Sequence, residues 1–310
     1  MKFAFVFPGQ GSQSVGMMNA YGDHTVVRET FAEASTALGR DLWQMALEGP
    51  AELLSQTVNT QPLMLTAGVA AFRLWRAKGG PLPAMVAGHS LGEYSALVAA
   101  EALALVDAVP LVELRAKAMQ EAVPAGAGAM AAILGLDRGA VEAACAEAAQ
   151  GEVVAAVNFN APEQTVIAGH KAAVERAAEA AKAAGAKRVV MLPVSAPFHC
   201  SLMEPAAEKL QGHLQNVVVR APRIPLLNNV DVLSETDPAR IKAALVRQAA
   251  LPVRWVEIMQ AMQKAGVRQV YECGPGKVLS GLVKRCADGL HGAALADMAG
   301  IDAALAAVAE

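Results

Sequence analysis

Short apolar runs that end in glycine-rich turns recur along the chain, and each is followed by a stretch of helical character. Residues 3–7, FAFVF, are apolar throughout and predict a short buried strand, closed at once by the turn PGQGSQ. AMVAG at 84–88 is a second such run, and LGEYSALVAAEAL after it predicts a helix over 91–103. RQVYECGPGKVLSGLVKR at 268–285 repeats the order of strand, glycine turn and helix. Strands alternating with helices predict an α/β fold with a largely parallel sheet. In such folds the turns that follow the strands carry the chemistry.

The middle of the chain has a different rhythm. GAMAAILGL (128–136) predicts a strand and DRGAVEAACAEAAQ (137–150) a helix. VVAAVNFN (153–160) and QTVIAG (164–169) predict two strands joined by a turn at Ala161, Pro162 and Glu163. KAAVERAAEAAKAAG (171–185) predicts a helix and KRVVMLPV (187–194) a strand. That order is βαββαβ, the ferredoxin-like unit. The expected organisation is therefore a large α/β domain over 1–125 and 196–310, interrupted by a small ferredoxin-like subdomain over 126–195. No repeat of solenoid period is present.

Composition narrows the possible functions. Of 310 residues, 54% are hydrophobic and 18% charged, which predicts a sizeable core and no general disorder. The formal net charge of −3 provides no basic field for nucleic acid. Four cysteines, with no CxxC pair, are too sparse for a disulfide scaffold and point to reduced thiols in a cytoplasmic protein. The longest apolar region, 96–114, is broken by Glu101, Asp107 and Glu113, so no membrane span is expected.

Gly88-His89-Ser90-Leu91-Gly92 is a G-x-S-x-G sequence between a predicted strand and a predicted helix, where a nucleophile elbow must sit. The glycines let neighbouring backbone pass close to a sharp turn. A serine at a helix start also has free amides and the helix dipole to stabilise developing negative charge. The alternative is a tight strand-to-helix turn with no chemistry. Of six histidines, His24, His170, His213 and His291 read as surface residues, and His89 flanks the serine pointing away from it. His199 lies on a loop just after the predicted small subdomain, near the junction where clefts form. It reads as a general base, or else as a capping or surface-loop histidine. The only aspartates between serine and histidine, Asp107 and Asp137, look like helix starts, which favours a Ser–His dyad over a triad.

DAVPLVELRAKAMQEA (107–122) predicts a helix with Asp107 as N-cap and Pro110 in the first turn. On its helical wheel Ala108, Leu111, Val112, Met119 and Ala122 share one face, and Arg115 falls in the middle of it. A guanidinium on an apolar stripe needs an anionic partner. Either a buried acid such as Glu93 or a carboxylate on the substrate would serve. The glycine-rich PGQGSQ and GPGK segments lack the dinucleotide and Walker spacings and read as tight turns.

Together, FPGQGSQ, GHSLGEYSAL, RAKAMQEA, NFNAPEQTVIAG, PVSAPFHCSLM, RQAALPVRW and ECGPGKVL resemble the bacterial malonyl-CoA:acyl carrier protein transacylase family, in that family's order and over nearly the whole chain. The resemblance implies an α/β-hydrolase-like core carrying the ferredoxin-like insertion. It implies acyl-carrier-protein S-malonyltransferase activity in fatty acid biosynthesis, with a discrete polyketide or malonate-decarboxylase malonyltransferase as the alternative and a serine thioesterase behind it. The substrates would be a coenzyme A thioester and an acyl carrier protein, with no cofactor and no metal. By the same resemblance, Ser90 is the nucleophile and His199 the base. Gln248 offers a backbone carbonyl that orients the imidazole. Gln10 and Leu91 supply the oxyanion-hole amides, and Arg115 pairs with the malonyl carboxylate. Asn160 and Met119 would line the cleft. Phe198 stands where many relatives have serine, which implies malonyl over methylmalonyl. An acidic carrier protein would dock on basic residues, for which Lys182, Lys187 and Arg188 are the candidates.

Overall fold

A computed structural model describes residues 2–194 and 196–309. The chain runs β1 (Phe3–Phe7), α1 (Thr25–Leu38), α2 (Leu42–Glu48), α3 (Ala51–Leu54), α4 (Thr57–Ala77), β2 (Met85–Gly88), α5 (Gly92–Ala99) and α6 (Leu105–Glu121). A second group follows: β3 (Gly128–Leu134), α7 (Arg138–Ala149), β4 (Val154–Ala161), β5 (Gln164–His170), α8 (Lys171–Ala183) and β6 (Arg188–Met191). The rest is α9 (Glu204–Leu214), β7 (Leu226–Leu227), α10 (Pro238–Ala250), α11 (Trp255–Lys264), β8 (Gln269–Glu272), α12 (Val278–Cys286), β9 (His291–Ala294) and α13 (Met298–Ala309).

The predicted α/β class holds. One sheet has the order β7-β2-β1-β8-β9 with every pairing parallel. Its central strand β1 is apolar and buried at all five positions, as a strand covered on both faces must be. Phe3 and Phe5 meet Trp75 from α4 and Tyr271 from β8 in mostly edge-on contacts, with the Phe5 and Trp75 centroids 5.2 Å apart. The second sheet is antiparallel in the order β4-β5-β3-β6, the strand order of a ferredoxin-like unit.

Several element ends differ from expectation. α5 stops at Ala99, not Leu103, because Glu101 turns into the left-handed region with φ 58°. α6 begins at Leu105 with Ala104 as its N-cap, so Asp107 lies inside the first turn, where its charge still favours the helix dipole. β4 runs through Ala161, leaving only Pro162 and Glu163 in the hairpin turn. β6 keeps four residues, since after Met191 the chain curls off the sheet edge through a Val194 to Leu192 backbone hydrogen bond. The expected boundary between small and large domains falls at Ser195, outside the described residues. No described helix is long and apolar enough to cross a membrane.

The loop between α10 and α11 is stitched to the antiparallel sheet. The Phe159 amide donates to the Val253 carbonyl at 3.0 Å, and the Val253 amide donates to Val157 at 2.8 Å. The segment leading into α11 thereby extends β4 by a short parallel bridge.

Candidate active site

Ser90 sits on the turn between β2 and α5 with φ 52°, a conformation rare for a side-chain-bearing residue. The glycines on either side explain how the turn closes. A Cβ on Gly88 would fall 1.8 Å from the Gly92 carbonyl carbon, and one on Gly92 would fall 2.0 Å from the Phe7 carbonyl oxygen. Gly9, in the turn after β1, would likewise strike the His89 carbonyl at 2.6 Å. The β1 turn therefore lies directly against the serine turn, which places the Gln10 and Leu91 backbone together at the pocket. Neither of those two amides donates a hydrogen bond among the described residues.

Ser90 Oγ is 2.7 Å from His199 Nε2, although 109 residues separate them. His199 Nδ1 lies 2.8 Å from the Gln248 carbonyl, which can only accept, so Nδ1 carries the proton and Nε2 is free to accept from the serine. His199 is itself in the left-handed region, with φ 65°. Burial, aided by the charge of Arg115, lowers its pKa to about 3 against the pull of the Gln248 bond. The imidazole is therefore neutral at ordinary pH, as a base must be.

Arg115 is 2% exposed and projects from α6 into the same pocket. It donates to Gln61 Oε1 at 2.8 Å, to Gln248 Oε1 at 2.9 Å and to Ser90 Oγ at 3.1 Å. Tyr94 lies beneath the guanidinium, 5.5 Å from its ring centre. Glu93, one of the two expected partners, does not form the ion pair. Its Oε2 instead accepts from Gln248 Nε2 at 3.0 Å and from the Asn229 amide at 2.9 Å. The guanidinium's hydrogen-bond partners among the described residues are thus all neutral acceptors. Burial raises the Glu93 pKa to about 7, against these hydrogen bonds and Arg115.

Ser90, His199, Arg115, Gln10, Leu91, Met119 and Phe198 line one cavity of about 120 Å³. Met130, Asn158, Val166, Leu192 and Val194 from the antiparallel part close its other side. Asn160 is not among them. It lies beyond the pocket on β4, where its Oδ1 takes the His89 ring at 2.7 Å and its carbonyl takes the Cys286 thiol. Asn158, two residues earlier, is the asparagine that lines the cavity. The register shift between Ala156 and Asn158 and another after Phe159 make positions on this strand hard to assign from its sequence. His170, expected at the surface, accepts from the Val153 amide at 2.9 Å. Of the three basic candidates for docking, Lys182 is paired with Glu179 and Lys187 with Glu163.

Gln61 and Asn229 were not singled out for the site in the sequence, and Gln248 was singled out only for its carbonyl. Gln61 comes from α4, whose buried polar run Thr57, Asn59, Thr60 and Gln61 was the available signal. Asn229 lies in the loop after β7, accepts from the Ser90 amide at 2.8 Å and donates to Gly88 at 2.7 Å. The side chain of Gln248, as distinct from its carbonyl, also donates to the Ser90 carbonyl at 2.9 Å.

A serine on a strained strand-to-helix turn, paired with a neutral imidazole in a pocket lined by two residues whose amides donate no hydrogen bond among the described residues, is the equipment of acyl transfer. Comparison with known proteins agrees: the acyl transferase domain matches residues 4–301, and the chain belongs to that family. Within it the chain stands with the malonyl CoA-acyl carrier protein transacylases. The protein of that name from Escherichia coli strain K12 is 57% identical over 305 residues, covering 98% of this chain and 99% of the relative. An acyl-carrier-protein S-malonyltransferase crystal structure from Burkholderia pseudomallei superposes with a TM-score of 0.97 at 61% identity, covering 99% of this chain and 100% of that one. A malonyl-transacylase solved in complex with its type II polyketide acyl carrier protein superposes with a TM-score of 0.97 at 52% identity, again covering 99% and 100%.

Proposed function

We propose that this chain takes the malonyl group of malonyl-CoA onto Ser90 and passes it to the phosphopantetheine thiol of an acyl carrier protein. The observation that carries the reading is the convergence of a Ser90–His199 pair at 2.7 Å with a buried Arg115 that forms no ion pair among the described residues and lies 3.1 Å from the same hydroxyl.

His199 takes the Ser90 proton as the hydroxyl attacks the thioester carbonyl. The oxyanion is held by the Leu91 and Gln10 amides, an effect of ~3 kcal/mol per donor. The thiolate of coenzyme A leaves with the proton from His199, and a malonyl-serine ester remains. Arg115 releases Ser90 Oγ and forks onto the free carboxylate of the malonyl group, its other donors braced by Gln61 and Gln248. The carrier thiol then enters and His199 takes its proton; the thiolate attacks the ester carbonyl, the malonyl group passes to sulfur, and Ser90 Oγ leaves with the proton from His199. Met119 and Phe198 wall the pocket, and the Phe198 ring leaves little room for an α-methyl branch. The reaction draws on side chains and backbone amides of this chain alone. Fatty acid synthesis is the pathway we infer, in a cytoplasmic setting that suits four free cysteines. A polyketide carrier protein is the second reading, favoured by the relative solved with such a partner.

The test is mass spectrometry of the protein mixed with malonyl-CoA, then with carrier protein. A malonyl adduct on Ser90 should persist until the carrier is added. Arg115→Ala should cut malonyl transfer by about 100-fold or more, from loss of a buried charge-assisted fork, while acetyl transfer stays level or rises. Rapid release of free malonate from the wild type would instead mark a hydrolase.

A further inference from the structure

Glu93 is a buried carboxylate that the transfer chemistry above does not use. It is 2% exposed and lies in the first turn of α5, three residues past the nucleophile. A single oxygen of it, Oε2, receives both the Asn229 amide and the Gln248 side-chain amide. Those two residues reach the serine turn, the His199 ring and the Arg115 guanidinium. Asn229 grips the serine turn on both sides, at the Ser90 amide and the Gly88 carbonyl. Gln248 touches the Ser90 carbonyl and the Arg115 guanidinium with its side chain and the His199 ring with its backbone.

The chemistry of an amide side chain makes this contact directional. One end of Gln248 only accepts and the other only donates. Arg115 has only donors, so it must meet Oε1. Nothing in the shape of the glutamine enforces that choice, since the two ends are nearly the same size. Glu93 Oε2 accepts both of its bonds, so it remains an acceptor whether or not Oε1 carries a proton; with the Ser90 carbonyl it captures Nε2 and turns Oε1 of Gln248 toward the guanidinium. We propose that Glu93 is a positioning residue, which through Gln248 aims Arg115 at the acyl carboxylate and through Asn229 holds the serine turn. The proposal rests on the malonyl-transfer reading and names the group that sets its acyl selectivity.

An acid kept only to stabilise the start of α5 would affect all acyl donors alike. A positioning acid would affect the donor that needs Arg115. The full chain and its Glu93→Ala and Glu93→Gln variants are to be acylated with malonyl-CoA and, separately, acetyl-CoA, following the Ser90 adduct by mass spectrometry. Glu93→Ala should lower the malonyl-to-acetyl rate ratio by about tenfold, the weight of one hydrogen bond to a charged group. Glu93→Gln keeps an acceptor oxygen for both donors and should restore the ratio to within about threefold. If the alanine variant does not fold, Glu93→Asp withdraws the carboxylate by one methylene and should lower the ratio in the same way. An unchanged ratio in the alanine or aspartate variant, or no rescue by glutamine, overturns the proposal. Absence of any malonyl adduct on the wild type would instead defeat the malonyl-transfer reading, and the two failures are distinct.

Discussion

At His199, desolvation and the neighbouring guanidinium both oppose protonation, and this fixes how the reaction responds to acid. A pKa near 3 in the folded protein, against 6.5 for a free imidazole, keeps the base neutral through the mildly acidic range. Acylation of Ser90 by malonyl-CoA should therefore hold its rate from about pH 8 down to about pH 5, measured in single-turnover quench experiments. A fall centred near 6.5 would show that the imidazole titrates as a solvated group and overturn this prediction. The stability sign is the matching one: the depressed pKa contributes stability above 6.5 that is lost progressively as pH falls toward 3. At this scale the residues with distinctive chemistry were legible. Ser90 stood out by its glycine frame, and Arg115 by its place on an apolar stripe. Gln61 and Asn229 were not legible, because each acts through a contact of 54 residues or more in sequence and neither carries a local motif. Glu93 was legible as a nearby acid, but its partner was not. The sequence suggests opposite charges pairing, whereas the neutral side-chain amide of Gln248 intervenes.

Among the elements, the β2–turn–α5 unit depends on backbone touching backbone. An alanine at Gly92 would press its Cβ to within 2.0 Å of the Phe7 carbonyl and 3.0 Å of the Pro8 carbonyl, neither of which can rotate aside. Gly92→Ala should cost about 3 kcal/mol, lowering the melting temperature by roughly 6–10 °C, and should suppress acylation. Gly212→Ala is the control: nothing lies within 4 Å of its added Cβ, so calorimetry should show no loss, or a gain of up to about 1 kcal/mol. If Gly92→Ala melted with the wild type, the close approach would not be what selects glycine there. Strand-turn-helix units of this kind read clearly because each ends in glycine. α4 did not. It spans 21 residues and is buried on nearly every side, so it shows no alternation of polar and apolar faces to mark its period. Helix ends were displaced where a local conformation, such as the left-handed Glu101, cut short a favourable composition.

For the whole molecule, the pocket exists because two differently built sheets meet around it. The order βαββαβ was legible from strand and helix periods, and its strand order follows from that topology. The stitch at Val253 was not legible, since it joins residues nearly a hundred positions apart by backbone alone. We propose that residues 126–195 form a separate domain, with Ile133, Val141, Phe159, Ile167 and Val174 in its own core. Excised, this segment should melt cooperatively by far-ultraviolet circular dichroism, though below the full chain, because about 70 residues bury a modest core. A broad, non-cooperative melt would mean that it folds only against the larger part. All four cysteines of the molecule are buried, and each has its thiol pKa raised by desolvation: Cys145 to about 12, Cys200 and Cys286 to about 11, and Cys273 well above the usual value. Cys200 directly follows His199, and its sulfur donates to the Pro197 carbonyl. A free thiolate beside an activated ester would compete with the incoming carrier for the acyl group. Sulfur held in the SH form is a poor thief, so the cargo waits on oxygen for its intended recipient.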